Sequence, residues 1–180
     1  MKLLLHICCA PCLIYPLKSL KSKGLEVGGY FYNPNIHPLI EYNNRKQAVE
    51  ELNKNTNIEL IYPKYRPEEF FREVNLKEDN PGRCALCWRL RLKKTAQEAE
   101  EKGYKYFSTT LLVSPYQDQE LLKEIGDSVA QEVGVEFYYE DFRPGFRKAH
   151  DEARAKGIYC QRYCGCLYSE IDRCKKSEKP

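Results

Sequence analysis

The chain has 180 residues, 42% of them hydrophobic and 31% charged, and its 29 basic and 26 acidic residues leave a formal net charge of +3. That length suits a single domain, 1–180, with a real core, and the balance excludes both a disordered chain and a strongly basic, histone-like one. No apolar run approaches the roughly 18–20 residues that a membrane helix needs.

In chain order, 2–7 is a short apolar run that reads as a buried strand, and 11–23 is a helix opened by Ala10-Pro11 and ended by Gly24. A second strand at 26–32 is stopped by Asn33-Pro34-Asn35, a helix follows at 39–54, and a third strand at 58–62 is closed by Pro63. A short helix at 67–74 precedes a long one at 84–102, which ends at Gly103. A fourth strand at 106–113, a helix at 117–133 closed by Gly134, and a fifth strand at 135–139 come next. Helical pieces at 145–156 and 164–175 finish the chain, with 175–180 as a frayed tail. Strands alternating with helices predict an α/β fold. Its mostly parallel five-stranded sheet carries helices on both faces, with a helical, Cys-rich C-terminal segment.

In such folds ligands sit beyond the carboxyl ends of the strands, near the point where strand order reverses. Strand one runs into Cys8-Cys9-Ala10-Pro11-Cys12, strand four into the stretch from Ser108 to Tyr116, and strand five into Asp141-Phe142-Arg143. All three fall where a functional edge belongs.

Nine cysteines are the compositional anomaly, and an odd count cannot pair fully within one chain. The opening residues superficially resemble a signal peptide. They are too few, His6 interrupts them, and Ile7 stands where a small residue precedes a cleavage site. The expected setting is a reducing cytoplasm, where clustered thiols mean metal or redox chemistry rather than a disulfide scaffold. Three groups hold eight of the nine: Cys8, Cys9 and Cys12; Cys84 and Cys87; Cys160, Cys164 and Cys166. Thiolates at C-x-x-C spacing converge on one metal, and a helix N-terminus adds free N–H groups that favour thiolate. Any one group alone reads as a buried pair of small hydrophobes; together they point to metal or redox function. Eight thiols exceed the four of a zinc site or an iron–sulfur cluster. Either two centres exist, or a redox-active pair sits beside one. The Cys164-Gly165-Cys166 spacing suits one metal or a strained, easily reduced disulfide. Cys174 stands apart and reads as incidental.

The runs His6-Ile7-Cys8-Cys9-Ala10-Pro11-Cys12, Gly82-Arg83-Cys84-Ala85-Leu86-Cys87-Trp88-Arg89-Leu90-Arg91-Leu92, Ser108-Thr109-Thr110-Leu111-Leu112, Ser114-Pro115-Tyr116-Gln117, Asp141-Phe142-Arg143 and Tyr163-Cys164-Gly165-Cys166 resemble epoxyqueuosine reductases of the QueH type. The likeness extends to about residue 170, with Trp88 where Tyr or Phe is more usual. The resemblance implies the last step of queuosine synthesis, in which epoxyqueuosine at the wobble position of tRNA loses its epoxide oxygen as water. It implies a 4Fe–4S cluster with a second metal (iron or zinc) or redox thiols beside it, no cobalamin, and an electron donor. It also implies a Rossmann-like core of the nucleotide-hydrolase, PP-loop type. The phosphate loop of such cores is here Cys8-Cys9-Ala10-Pro11-Cys12, with no Gly-rich cradle, so no ATP chemistry is expected.

Within that resemblance, Cys8, Cys9, Cys84 and Cys87 are the expected cluster ligands. Cys12, Cys164 and Cys166 serve a second centre, for which Cys160 could substitute. Cys164 and Cys166 are also the expected redox pair; Asp118 is a candidate ligand of the second metal or proton donor and Tyr116 a candidate proton donor, set against a helix-cap acid and a packing ring. Asp141 and Arg143 read as an ion pair or a phosphate contact, and His6 as a core histidine; His37 and His150 carry no pattern. Arg83, Arg89, Arg91, Lys93 and Lys94 form a basic stretch without an acid, and Arg143, Arg147 and Arg162, with Tyr163 among them, crowd the last cysteine group. Such residues neutralise phosphates and stack on unpaired bases, or form a solvated helix face. Two rivals stand beside the reductase reading: an iron–sulfur tRNA thiolation or desulfurase enzyme, and a zinc-stapled RNA-binding module.

Overall fold

The computed structural model describes residues 1–79 and 81–177. Its centre is β1, Lys2–His6, whose Leu3, Leu4 and Leu5 are wholly buried. A strand apolar on both faces is what a parallel sheet covered on both sides demands. β1 pairs in parallel with β2 (Glu26–Tyr30) on one side and β4 (Tyr106–Thr109) on the other, with β3 (Leu60–Ile61) and β5 (Glu136–Phe137) at the edges. The order β3-β2-β1-β4-β5 makes the expected five-stranded parallel sheet. The chain winds outward from β1 through β2 to β3, then returns to start again at β4. The switch point therefore lies between β1 and β4, beyond His6 and Thr109.

The helices are α1 (Ala10–Ser22), α2 (Leu39–Thr56), α3 (Pro67–Val74), α4 (Gly82–Glu101), α5 (Gln119–Val133), α6 (Phe146–Ala155) and α7 (Leu167–Ser177). α1 packs on α2 and α6 in one layer, and α4 packs on α5 and α3 in the other. No helix among the described residues is long and apolar enough to cross a membrane.

Several expected boundaries move, among them these. Strand four does not reach residue 113. The Thr109 side chain accepts from the Leu111 N–H and turns Thr110–Val113 into a 3₁₀ helix. The edge strands β3 and β5 shorten to two residues each, which limits the unpaired backbone a sheet edge presents. α5 starts at Gln119 because Asp118 caps it. The last helix starts at Leu167, not Cys164: Gly165 has φ +136, outside any helix. The C-G-C pair is therefore in a loop. Helix α7 continues through Ser177, so the expected fray at 175–180 falls partly within it, and 178–180 lie outside the described residues.

Gly145 lets α6 approach α1: a Cβ there would lie 1.9 Å from Cγ of Tyr15. Gly145→Ala is expected to lower unfolding free energy by about 1–3 kcal/mol, as overpacking does. Urea denaturation reads this, and an unchanged midpoint would show that the Tyr15 ring swings clear.

Candidate metal centre

The first thiol group follows from how β1 hands over to α1. Pro11 occupies the first turn, where its missing N–H costs no bond, and Cys9 is the N-cap. Cys8, Cys9 and Cys12 are thereby turned toward one another, all buried, with their sulfurs within 4.8 Å. The Cys8 N–H donates to Oγ1 of Thr110 at 3.0 Å, and the Thr110 hydroxyl donates to Cys8 Sγ at 3.2 Å. This reciprocal pair bridges the switch point. Hydrogen bonds from the Cys12 and Cys9 thiols, joined by Thr110, hold Cys8 well below the ordinary thiol range. Burial pushes Cys9 up, and sharing its hydrogen with Cys8 pushes Cys12 up. Three buried cysteines sharing hydrogen bonds in one pocket are a donor set poised for a metal, since metal binding removes their protons.

The second group brings Cys84 and Cys87, on the first turns of α4, against Cys164 and Cys166. Cys166 packs with Cys87, Phe70 and Val74. Burial, and then the charge of Cys164, raise Cys84. Burial pushes Cys87 up to about 12, with Arg91 opposing and Cys164, Cys166 and Cys84 adding. Cys164 is exposed as a residue, yet its sulfur lies deep enough that burial raises it, against the charges of Arg91 and Arg45. Cys164 also feels the charge of Cys8, so the two groups are electrostatically coupled.

Arg45 of α2 anchors the C-G-C loop. Its Nη1 donates to the Cys164 carbonyl at 2.9 Å, its Nη2 to the Tyr163 carbonyl at 3.0 Å, and its Nε to Glu41 at 2.7 Å. The His37 N–H donates to the Gly165 carbonyl at 2.8 Å, and the Tyr163 hydroxyl to the His37 carbonyl. A Cβ on Gly165 would meet Ile36 at 3.0 Å and Asn35 at 3.2 Å, so the loop needs glycine for both its φ and its close approach. Arg45→Met leaves Glu41 buried without its cation. It is expected to cost about 3–5 kcal/mol, as breaking a buried pair from one side does. The Tyr159 hydroxyl also donates to Glu41, and a denaturation midpoint at the wild-type value would show that this bond or solvent compensates the lost cation.

The remaining candidates are placed as follows. Tyr116 is exposed, its ring edge-on to Phe146. Asp118 accepts from the Leu121 N–H at 3.0 Å as the α5 cap. Asp141 and Arg143 form a two-pronged ion pair at 2.8 and 2.7 Å. Arg147 and Arg162 are exposed. Arg89 pairs with Glu132, which also takes Lys93. Arg83 is buried and donates to the Glu78 carbonyl and to Asp172, tying α7 to the start of α4. Arg91 is not on a phosphate-facing surface; it is 1% exposed, among the thiols. Cys160 donates to the Ile158 carbonyl, and its neighbour Gln161 reaches the centre instead, 2.9 Å from Cys9 Sγ and 3.8 Å from Cys12 Sγ. Cys174 is exposed on α7. His6 is a satisfied core histidine: Nε2–H donates to the Tyr32 carbonyl, Nδ1 accepts from Thr109, and burial followed by the Arg91 charge lowers it to about 4.

Arg45 and Gln161 carry no site signal in the sequence, and Arg91 and Thr110 carry one only within the basic stretch and the strand-four edge, not as neighbours of the thiols. Arg91 had a usable signal. Arg83, Cys87, Arg91 and Thr95 fall at four-residue spacing on one stripe of α4, beside Trp88, Leu92, Ala96 and Ala99, and that stripe is buried.

Residues 3–172 match the family described as epoxyqueuosine reductase QueH. The chain is 40% identical over 180 residues to the epoxyqueuosine reductase QueH of Dehalococcoides mccartyi, covering 99% of this chain and 98% of that one. It is 34% identical to that of Thermotoga maritima, covering 96% and 92%. A crystal structure described as a predicted subunit of a tRNA methyltransferase, from Methanocaldococcus jannaschii, superposes with a TM-score of 0.58 at 11% identity. The match covers 86% of this chain and 74% of that one, and it speaks for the fold alone.

Proposed function

The chain belongs to the epoxyqueuosine reductase QueH family, and on that premise we propose that it reduces epoxyqueuosine in tRNA to queuosine. Two electrons and two protons enter, the epoxide C–O bonds break, the oxygen leaves as water, and the carbon–carbon double bond of the cyclopentene forms. The observation that carries this reading is the convergence of Cys8, Cys9 and Cys12 within 4.8 Å at the β1–β4 switch point, facing a C-G-C loop held by Arg45.

The donors suit soft iron: thiolates, largely buried, with hydrogen bonds to their sulfurs. Cys8, Cys9, Cys84 and Cys87 would hold a 4Fe–4S cluster. Cys12, Cys164 and Cys166 would hold a second metal, iron or zinc, or Cys164 and Cys166 would cycle as a dithiol pair. When bound, the cluster would supply electrons singly, and a second metal would supply a Lewis acid. The chain's own residues do the rest. Tyr116, exposed after β4, offers its hydroxyl proton to the leaving oxygen. Asp118 keeps the following helix in register as its cap. Arg147 and Arg162 neutralise tRNA phosphates, while Arg143 divides its charge with Asp141. The half-buried ring of Tyr163 floors the base site beside Cys164. An electron donor resupplies the two electrons.

The test is anaerobic reconstitution, with iron and sulfide counted per chain and absorbance read near ~400 nm, as thiolate-ligated iron requires. Single-turnover reduction of epoxyqueuosine-tRNA follows. A colourless, zinc-only chain that binds tRNA without reducing it would make this a stapled RNA-binding module. Sulfur transfer into tRNA would make it a thiolation enzyme. Cys174→Ser is expected to leave iron content and turnover unchanged, because Cys174 is exposed on α7. Lost turnover in a folded variant would bring the ninth cysteine into the site.

A further inference from the structure

Arg91 carries a charge that no carboxylate of the described residues meets. It lies one turn past Cys87 on α4 and is 1% exposed. Its Nε donates to the Cys87 carbonyl at 3.4 Å, and its Nη2 is buried with no partner. Among the described residues no Asp or Glu pairs with it, whereas the equally buried Arg45 has Glu41 at 2.7 Å. An unpaired buried guanidinium is costly, and replacing such a group by an apolar one is often neutral or stabilising. A fold that keeps one has an anion for it that the amino-acid side chains alone do not supply. Burial works against the Arg91 charge, and Cys87, Cys164, Cys8 and Cys166 work for it.

We propose that Arg91 is the counter-charge of the metal–thiolate centre, a positioning residue that favours assembly and biases the centre toward its reduced state. This rests on the reading above that the thiols hold a cluster. The sign follows from charge. Four neutral thiols that release their protons to hold a doubly positive 4Fe–4S core take the site from neutral to doubly negative. One added electron makes it triply negative. A fixed cation in a poorly screened interior stabilises each more negative state over the one before. The same holds for a single divalent metal on three thiols, where the site goes from neutral to singly negative.

The test uses the full chain with two variants. Arg91→Met keeps length and removes charge; Arg91→Lys keeps charge and changes shape. Each is reconstituted anaerobically, challenged with a chelator, and titrated for its midpoint potential, and unfolding of the metal-free chain is followed in parallel. Arg91→Met should leave metal-free stability equal or higher and lose iron faster to the chelator. Its reduced-to-oxidised ratio should fall at least tenfold at fixed potential, about 59 mV for one electron. Arg91→Lys should recover at least half of that shift. An unchanged midpoint and unchanged iron retention in Arg91→Met overturn the proposal. So does a metal-free chain that Arg91→Met destabilises and Arg91→Lys does not rescue, which would make the Cys87 carbonyl bond the reason for Arg91. If Arg91→Met does not fold, the midpoint of Arg91→Lys against Arg91→Gln decides in the same way. A wild-type chain that assembles no iron–sulfur centre defeats the reading above. The counter-charge is then read in Co²⁺ binding to the metal-free chain: a tenfold loss in Arg91→Met supports it, and equal affinity overturns it.

Discussion

Cys84→Ser and Cys87→Ser are each expected to drop bound iron and acid-labile sulfide from about four per chain to background. A serine hydroxyl does not ionise near neutral pH and is a hard donor, so it fails where a soft thiolate is wanted. Cys84 and Cys87 lie one turn apart at the start of α4, where the positive end of the helix dipole adds to the pull on an anion. The fold should survive, because Cys84 is half-buried and serine adds no volume at Cys87. Iron and sulfide per chain, read beside a far-ultraviolet spectrum, decide it. Wild-type iron in both variants takes this pair out of the ligand set.

The second large effect belongs to the C-G-C loop. Cys164→Ser and Cys166→Ser are expected to cut epoxide reduction by about 100-fold or more, the scale of losing a group that takes part in the chemical step, while most of the iron stays. Four thiolates complete a cluster, and the loop's two sulfurs are then free for the second metal or the dithiol cycle. Arg45 and His37 grip the loop through backbone carbonyls, so losing one sulfur leaves it in place. Single-turnover reduction with a chemically reduced cluster, alongside iron counts, separates the outcomes. Iron loss as complete as in the Cys84 variants moves the cluster onto Cys84, Cys87, Cys164 and Cys166, which sense one another's charge, and leaves Cys8, Cys9 and Cys12 for the second metal. Full turnover removes the loop from the chemistry.

The α/β alternation, the five strands and the cysteine-bearing edge after β1 are legible in the sequence because they rest on apolar periodicity and on Pro and Gly punctuation. The end of strand four is not. Thr109 and Thr110 favour strand by propensity, and only the capping of the Leu111 N–H by Thr109 turns the chain. The basic stretch on α4 misleads for a different reason. Charge tells nothing of which way a side chain faces. Arg89 and Lys93 meet Glu132 at the surface, while Arg83 and Arg91, on the next stripe round the helix, go inside. Arg45 and Glu41 look like any exposed i,i+4 pair, and it takes the folded C-terminal loop to bury them. Cys160 and Gln161 show the limit of reading by residue type: the thiol turns to a backbone carbonyl, and the amide beside it faces the metal centre.

That amide contact spans the chain: Gln161 touches Cys9 across 152 residues. On a ribosome adding about 5–20 residues per second, the first thiols emerge roughly ten to thirty seconds before their partners. Until α4 emerges, about halfway through that interval, Cys8, Cys9 and Cys12 lack both α4 and the C-G-C loop. Any metal or oxidant they meet then finds three thiols and none of the surrounding protein. Assembly of the centre therefore waits for the C-terminal loop. Cells that run short of reductant during translation should accumulate a soluble, iron-free, N-terminally oxidised form of this protein rather than a half-built centre.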